Sequence, residues 1–311
     1  MTPLHSNKPW LALAAGTAVV GTLPWLVSDF MASVLLSCLM YIALATSWSL
    51  FCGATRYLSL ATSAFFGIGA YASATLLGTL PWPLVILSGA LIAAIVAIIM
   101  GAAVLHLRGT YFAVLTFGMT ELIRHAVTFV EKQVSGTVGR VLTVVPSNET
   151  VYITVLLIAA AAIGTSIAVQ RSRFGLALAG IGADEQRAQT LGVDTRLAKI
   201  AGFGITAAFA GAVGAAMAVR WTYIEPAAVF SPFIGFQTVL IALIGGAASI
   251  GGPVLAAIVF SLLAETLRLQ LPYGYMMVLG LLLILCVMYL PNGLATLWQR
   301  RSGVAKEASH G

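Results

Sequence analysis

Charge is what this sequence has least of. Asp, Glu, Lys and Arg make up 8% of its 311 residues, against ~25% in ordinary soluble domains. With 60% hydrophobic residues and a mean hydropathy of +1.00, a soluble globule with a polar shell is excluded and an integral membrane protein remains. Lysine is scarcer still: Lys8, Lys132, Lys199 and Lys306, none of them preceded by glycine. A G-x-x-x-x-G-K-S/T loop is therefore absent, and with it that kind of cradle for nucleotide phosphates. Cysteine occurs only at Cys38, Cys52 and Cys286, each inside an apolar stretch, so neither a disulfide framework nor a zinc site is expected. His5, His106, His125 and His310 are scattered, and no His, Cys and carboxylate group has metal-ligand spacing. No bound metal or cofactor and no catalytic residues are expected.

What the chain has in abundance is long apolar runs. A membrane helix takes ~20 mostly apolar residues, and about ten such stretches follow one another as one membrane domain over residues 1–311. The first, Trp10 to Val27, contains Pro24 and Trp25 and leads straight into the next, so it reads as an uncleaved span and not a secretion signal. Phe30 to Cys52 is the second, a third follows Arg56, Leu84 to Leu105 is the fourth, and a fifth begins after Arg108 and Gly109. A polar connection, Glu131 to Thr150, precedes the sixth, Val151 to Val169. Ile200 to Val219, Phe233 to Ala248, Pro253 to Leu267 and Tyr273 to Leu290 complete the set.

One long polar interruption, Arg171 to Lys199, carries eight of the 26 charged residues. Phe174, Leu178 and Ile181 fall at i, i+4 and i+7, one apolar stripe of a short helix. A second helix is predicted from Asp184 and Glu185, whose charges suit a helix N-terminus, to Leu191, with Gly192 as a left-handed stop and Val193 packing back on Ala188. The same spacing also fits a solvated loop that merely joins two spans. If this segment is cytoplasmic, alternation of the spans puts eleven cationic residues inside and four outside, with Arg124 within a span. That is the bias that sets topology, with an even span number and both termini cytoplasmic. The net charge of +6 is then a topology signal, and no nucleic-acid partner is expected.

Ala207, Gly211 and Ala215 recur every four residues, as do Ala208, Ala212 and Ala216, giving a smooth face for close helix packing. Gly67 and Gly69 in the first half, and Gly245, Gly246, Gly251 and Gly252 in the second, fit close packing and tight turns; paired glycine-interrupted segments can also mark broken helices beside a solute path. Glu121 and Arg124, three apart in the fifth span, share a helix face and lie deep in the bilayer, either as a structural ion pair or as residues lining or gating a path.

In order along the chain stand Ser59-Leu60, Ser63-Ala64-Phe65-Phe66-Gly67-Ile68-Gly69-Ala70-Tyr71, Arg108-Gly109-Thr110-Tyr111-Phe112-Ala113, Glu121 and Arg124. Gly175-Leu176-Ala177-Leu178, Asp184-Glu185, Ala188, Leu191-Gly192-Val193, Gly245-Gly246, Gly251-Gly252-Pro253, Pro291 and Gly293-Leu294 follow. This succession, from Phe30 to Leu294, resembles the LivM-type permeases of branched-chain amino acid ABC importers. The resemblance implies an all-α polytopic protein of about ten spans in the bacterial inner membrane, related in fold to the vitamin B12 importer class. It implies a second, LivH-type permease, two cytoplasmic ATPases that use ATP and Mg, and an extracytoplasmic binding protein. Residues 171–199 become a cytoplasmic coupling segment, with Asp184, Glu185, Ala188, Leu191, Gly192 and Val193 meeting the ATPase. Ser59, Thr62, Ser63, Gly67, Gly69, Glu121 and Arg124 are candidates for the path.

Departures from the family pattern are Ser59-Leu60-Ala61-Thr62 where Ser-Leu-Gly-His or Ser-Leu-Gly-Gln is usual, and Tyr57 where Gln is frequent. Gly180 and Gly182 stand in place of arginines, and Ala247-Ala248 interrupts a glycine run. Leucine-like amino acids are the expected solutes, with urea, short amides and aromatic acids as alternatives. The rival classes are an ion-coupled carrier or channel, for which only Glu121 is convincingly placed, and an intramembrane enzyme, which would need a pair of reactive groups at similar depth.

Overall fold

A computed structural model describes residues 8–281, apart from 108, 143–144, 222, 248, 272–273, 275–276 and 279. α1 (Lys8–Thr22) ends at a tight turn around Pro24, and α2 (Asp29–Trp48) starts with Asp29 in its first turn, where a carboxylate meets the positive end of the helix dipole. α2 runs into a wide five-residue π-turn, Ser49–Gly53. α3 (Thr62–Leu76), α4 (Trp82–Val104) and α5 (Thr110–Ser135) follow, and Gly136, in the left-handed region, closes α5. α6 (Asn148–Gln170) is capped by Ser147, whose side chain accepts from the Thr150 N–H. Next come α7 (Arg173–Ala183), α8 (Glu185–Thr190) and α9 (Thr195–Met217), the last extended by a tight turn to Arg220. α10 (Pro226–Val229), α11 (Pro232–Gly245) and α12 (Gly251–Gln270) complete the described helices.

Among the described residues seven helical stretches are long and apolar enough to cross a membrane. α1 and α3, at 15 residues each, rise only ~22 Å against a hydrocarbon layer of ~30 Å. The expected tenth span, Tyr273 to Leu290, lies largely outside the described residues, as do Arg108, Ala248, Cys286, Pro291 and Gly293-Leu294. The chain is an all-helical polytopic membrane protein.

α9 is the centre of the bundle because its side chains are small. Ala207, Gly211, Ala212, Ala215 and Ala216 are buried, and α9 packs on α4 and α3. A Cβ on Gly69 would lie 1.9 Å from the Gly211 carbonyl oxygen, and one on Gly214 equally close to that of Phe66. α3 and α9 therefore cross backbone to backbone. α2 packs between α6, α9, α11 and α12.

The bundle has two polar ends. Residues 54–61, the close of α4 and residues 171–194 meet at the near end. At the far end β1 (Arg140–Val141) pairs antiparallel with β2 (Tyr223–Ile224), Arg140 opposite Ile224.

Candidate functional site

At the near end the chain leaves α6, and the Ser172 side chain accepts from the Gly175 N–H (3.2 Å) to start α7. Leu178 and Ile181 turn into the core with Phe174 half-buried beside them, the stripe read from the sequence. α7 lies on the residues that follow α2. A Cβ on Gly182 would sit 2.1 Å from the Ala54 carbonyl oxygen, which explains why no arginine stands there.

α8 is capped at both ends. Asp184 Oδ1 accepts from the N–H groups of Gln186 (3.0 Å) and Arg187 (3.1 Å). Gly192 has φ +85°; its N–H donates to Gln189 O (3.0 Å) while the Val193 N–H donates to Ala188 O (3.1 Å). Those two bonds are the paired helix closure that a left-handed glycine permits. Asp194 Oδ1 then accepts from the Leu197 N–H (2.9 Å) and opens α9.

The six residues that the sequence reading grouped as one docking surface are divided by the fold. Asp184, Leu191 and Gly192 are open to solvent, Leu191 by 83%. Glu185 and Ala188 are buried and Val193 is half-buried. Positions i and i+3 share a helix face, and this face is pressed onto α7 and α9. The outer face of α8 is made of Gln186, Arg187, Gln189 and Thr190.

Beneath α8 lies a charged cluster with no exposed atoms to spare. Lys199, in the second turn of α9, donates to Glu185 Oε1 (2.7 Å), to the Leu105 carbonyl (2.8 Å) and to Tyr57 Oη (3.2 Å). The ammonium has three protons and finds three acceptors. Tyr57 Oη in turn donates to Glu185 Oε2 (2.8 Å). The Lys199 and Glu185 side chains are 6% and 8% exposed. Burial, and then the carboxylate that the hydroxyl faces, push the Tyr57 pKa up, so it stays a donor. Arg56, immediately before it, has φ +60°, a left-handed conformation that turns Tyr57 inward. The cluster joins α8, α9, the end of α4 and the segment after α2 in one polar knot. Sequence reading missed it, having counted Lys199 as one topology cation among several.

The candidate path residues are scattered. Ser59, Thr62 and Ser63 are buried where α3 starts. Trp48 Nε1 donates to the Ser59 carbonyl (2.9 Å), Ser59 Oγ accepts from the Ala61 N–H (3.2 Å), and Ser63 Oγ has no hydrogen-bond partner among the described residues. Gly67 faces the Phe230 ring and Gly69 the backbone of Gly211, within an unbroken α3. Of these glycine segments, among the described residues, the one in the second half is interrupted: Gly246 (φ +84°) ends α11 and Ser249 bridges to Gly252. Glu121 and Arg124 form the expected pair at 2.5 Å, 27% and 29% exposed, on a helix whose outer side shows Tyr111, Val114, Leu122, Phe129 and Val134.

At the far end Glu131, which the sequence placed in a polar connection, is buried in the last turns of α5. Its carboxylate accepts from Tyr71 Oη (3.0 Å), the Gly139 N–H (2.9 Å) and Arg140 Nε (3.2 Å). Cys38 and Cys52 are buried and unbridged. Among the described residues no group of three or more His, Cys, Asp or Glu is placed to hold a metal.

A family model for the permease component of branched-chain amino acid transport systems matches residues 30–288. The high-affinity branched-chain amino acid transport system permease protein LivM of Escherichia coli K12 is 26% identical over 322 aligned residues, covering 92% of this chain and 75% of that protein. LivM of Salmonella typhimurium LT2 matches with the same identity and coverage. No solved structure gives a significant match.

Proposed function

Because the chain belongs to the permease-component family of branched-chain amino acid transport systems, we propose that it carries branched-chain amino acids as the membrane subunit of an ATP-driven importer, with α8 as its coupling helix. It is a multi-pass inner-membrane protein, and hydrolysis is the work of other subunits. Those partners are a second, LivH-type permease, two cytoplasmic ATPases that bind ATP and Mg, and an extracytoplasmic binding protein. The near end faces the cytoplasm, as the cationic bias asks, and both termini lie on that side.

The observation that carries the coupling role is the division of α8. Its exposed side, with Arg187 and Leu191, is free to meet a soluble partner, while Glu185 on its inner side is tied to Lys199 and Tyr57. A push on α8 is thereby delivered to α9 and to the residues after α2. Gly182 on Ala54 is a second point of contact, and a Cβ on Gly53 would in turn lie 2.1 Å from the Ala247 carbonyl oxygen in the turn before α12. The exposed apolar side of α5 is the surface offered to the second permease, with the Glu121 and Arg124 pair, costly in lipid, at the path between the subunits.

The test is co-purification of the ATPase with a tagged chain, together with amino-acid uptake. Leu191→Asp, on the outer side, should lose the ATPase from an otherwise folded permease. Glu185→Gln should retain the ATPase and lose uptake. Ala188 is buried, so changing it to Asp would report on folding and not on docking. A Leu191→Asp complex that keeps both ATPase and uptake would refute the assignment of α8.

A further inference from the structure

A cavity of about 450 Å³ opens at the far end between α2, the end of α9, α11 and α12, within the ~300–1,000 Å³ range of small-ligand sites. None of the residues expected to line a path belongs to it. Its polar lining is of two kinds. Arg220 and Arg268 bring guanidinium groups and Glu265 a carboxylate, while Tyr41, Gln237 and Ser261 lie deeper. Tyr41 Oη donates to Gln237 Oε1 (2.8 Å), which fixes the amide, and Arg220 is steadied by a bond to Ser33 Oγ (3.2 Å). Glu265 and Arg268 are 3.9 Å apart, too far for a strong bond. Among the described residues the buried Ser261 hydroxyl has only the Cys38 thiol beside it, a weak partner that leaves it able to bond a ligand. Apolar surface comes from Met40, Met217 and Phe233.

We infer that this cavity is a binding site for a zwitterionic α-amino acid with an apolar side chain, the first station the solute occupies in the membrane. Arg220 takes the carboxylate, Glu265 the ammonium, and the Met and Phe surface the side chain, with Ser261 completing a hydrogen bond to the solute. The inference rests on the importer reading and adds to it a place and a chemistry. Arg268 is 68% exposed and can be left to solvent, so Arg220 and Glu265 remain as one group of each sign, which a zwitterion matches group for group.

The test uses the complete importer in proteoliposomes, with L-leucine as probe. Glu265→Gln and Arg220→Gln should each lower uptake about tenfold or more, the worth of a charged hydrogen bond, while ATPase stimulation by the binding protein persists. Independently, in a background with Cys38, Cys52 and Cys286 changed to Ser, Ser261→Cys gives a thiol whose labelling L-leucine should slow. 3-Methylbutylamine, which lacks the carboxylate, and 4-methylpentanoate, which lacks the amine, should not slow it. Uptake by both charge variants within about twofold of the parent, or labelling indifferent to L-leucine in a complex that transports it, overturns the inference and leaves the importer reading standing. A parent complex that moves no branched-chain amino acid refutes the importer reading itself.

Discussion

Replacing Lys199 with Met removes the centre of the near-end cluster and leaves its shell. Three acceptors lose their donor: Glu185 Oε1, the Leu105 carbonyl and the Tyr57 hydroxyl. Met fills similar space, so the loss is electrostatic. Breaking a buried pair by removing one partner costs ~3–5 kcal/mol, because the remaining charge stays desolvated. Glu185 keeps the Tyr57 proton, a bond worth ~1.5–3 kcal/mol to a charged group, so the lower end, about 3 kcal/mol, is expected. Pairing Lys199→Met with Glu185→Leu removes the stranded charge but leaves the Leu105 carbonyl and the Tyr57 hydroxyl unmet, so that double variant should be no less stable than Lys199→Met. Equilibrium unfolding of the four proteins of this cycle in mixed micelles measures both quantities. A Lys199→Met protein within ~1 kcal/mol of the parent would show that the pair contributes nothing and refute the reasoning. Uptake by the double variant then separates support from coupling. If it transports like the parent, the cluster is structural and α8 transmits through Gly182 and Ala54 alone.

Gly192→Val places a β-branched side chain at φ +85°, costing ~1–2 kcal/mol or more; ATP turnover per amino acid imported should rise as the stop of α8 loosens. Gly182→Ala drives a methyl against the Ala54 carbonyl and should lower thermal stability and uptake together, whereas Gly180→Ala, whose Cβ would meet only Ala188 at 3.8 Å, should leave both near the parent. Glu131→Gln breaks the bond to Arg140 while keeping an acceptor for Tyr71 and Gly139; proteolysis of the far-end segment around β1 should quicken while ATPase association is unchanged.

The spans were legible because a bilayer imposes one length and one polarity, and α2, α4, α6 and α9 start within a few residues of where the apolar runs begin. The local grammar of residues 171–199 was legible too. Asp184, Gly192 and Val193 act on neighbours in sequence, and the closure they form depends on nothing distant. Lys199 is the opposite case. Its partners are 14, 94 and 142 residues away, and nothing in its local sequence distinguishes a lysine folded under a helix from one that marks the cytoplasmic side. The one trace was Tyr57, an unusual residue whose partner no spacing rule supplies. The inward turn of Glu185 and Ala188 was within reach, since i and i+3 must share a face; what the sequence withheld was which face the bundle covers. The far-end cavity was illegible for the same reason, with Arg220, Gln237 and Glu265 drawn from three helices.

Where the bundle is stiff and where it is not bears on how the two ends communicate. α3, α4 and α9 touch through glycine and alanine, with Gly69, Gly89 and Gly211 so close that an added Cβ would collide. Helices in backbone contact have no side chains to rearrange between them, so these three form a single body. α9 runs through it as one stretch, Thr195–Arg220, ~39 Å from end to end, with Lys199 near one end and Arg220 at the other. α11 packs on α3 and α2, α12 packs on α2 and α11, and the two are joined by the turn at Gly246. The cavity lies between that body and this pair, with Arg220 on the body and Gln237, Ser261 and Glu265 on the pair. On the coupling proposed above, displacing α8 would shift Arg220 relative to Glu265. A zwitterion held between opposite charges is gripped or released by a change in their separation of a few ångströms, since Coulomb attraction and hydrogen-bond geometry both fall away over that distance.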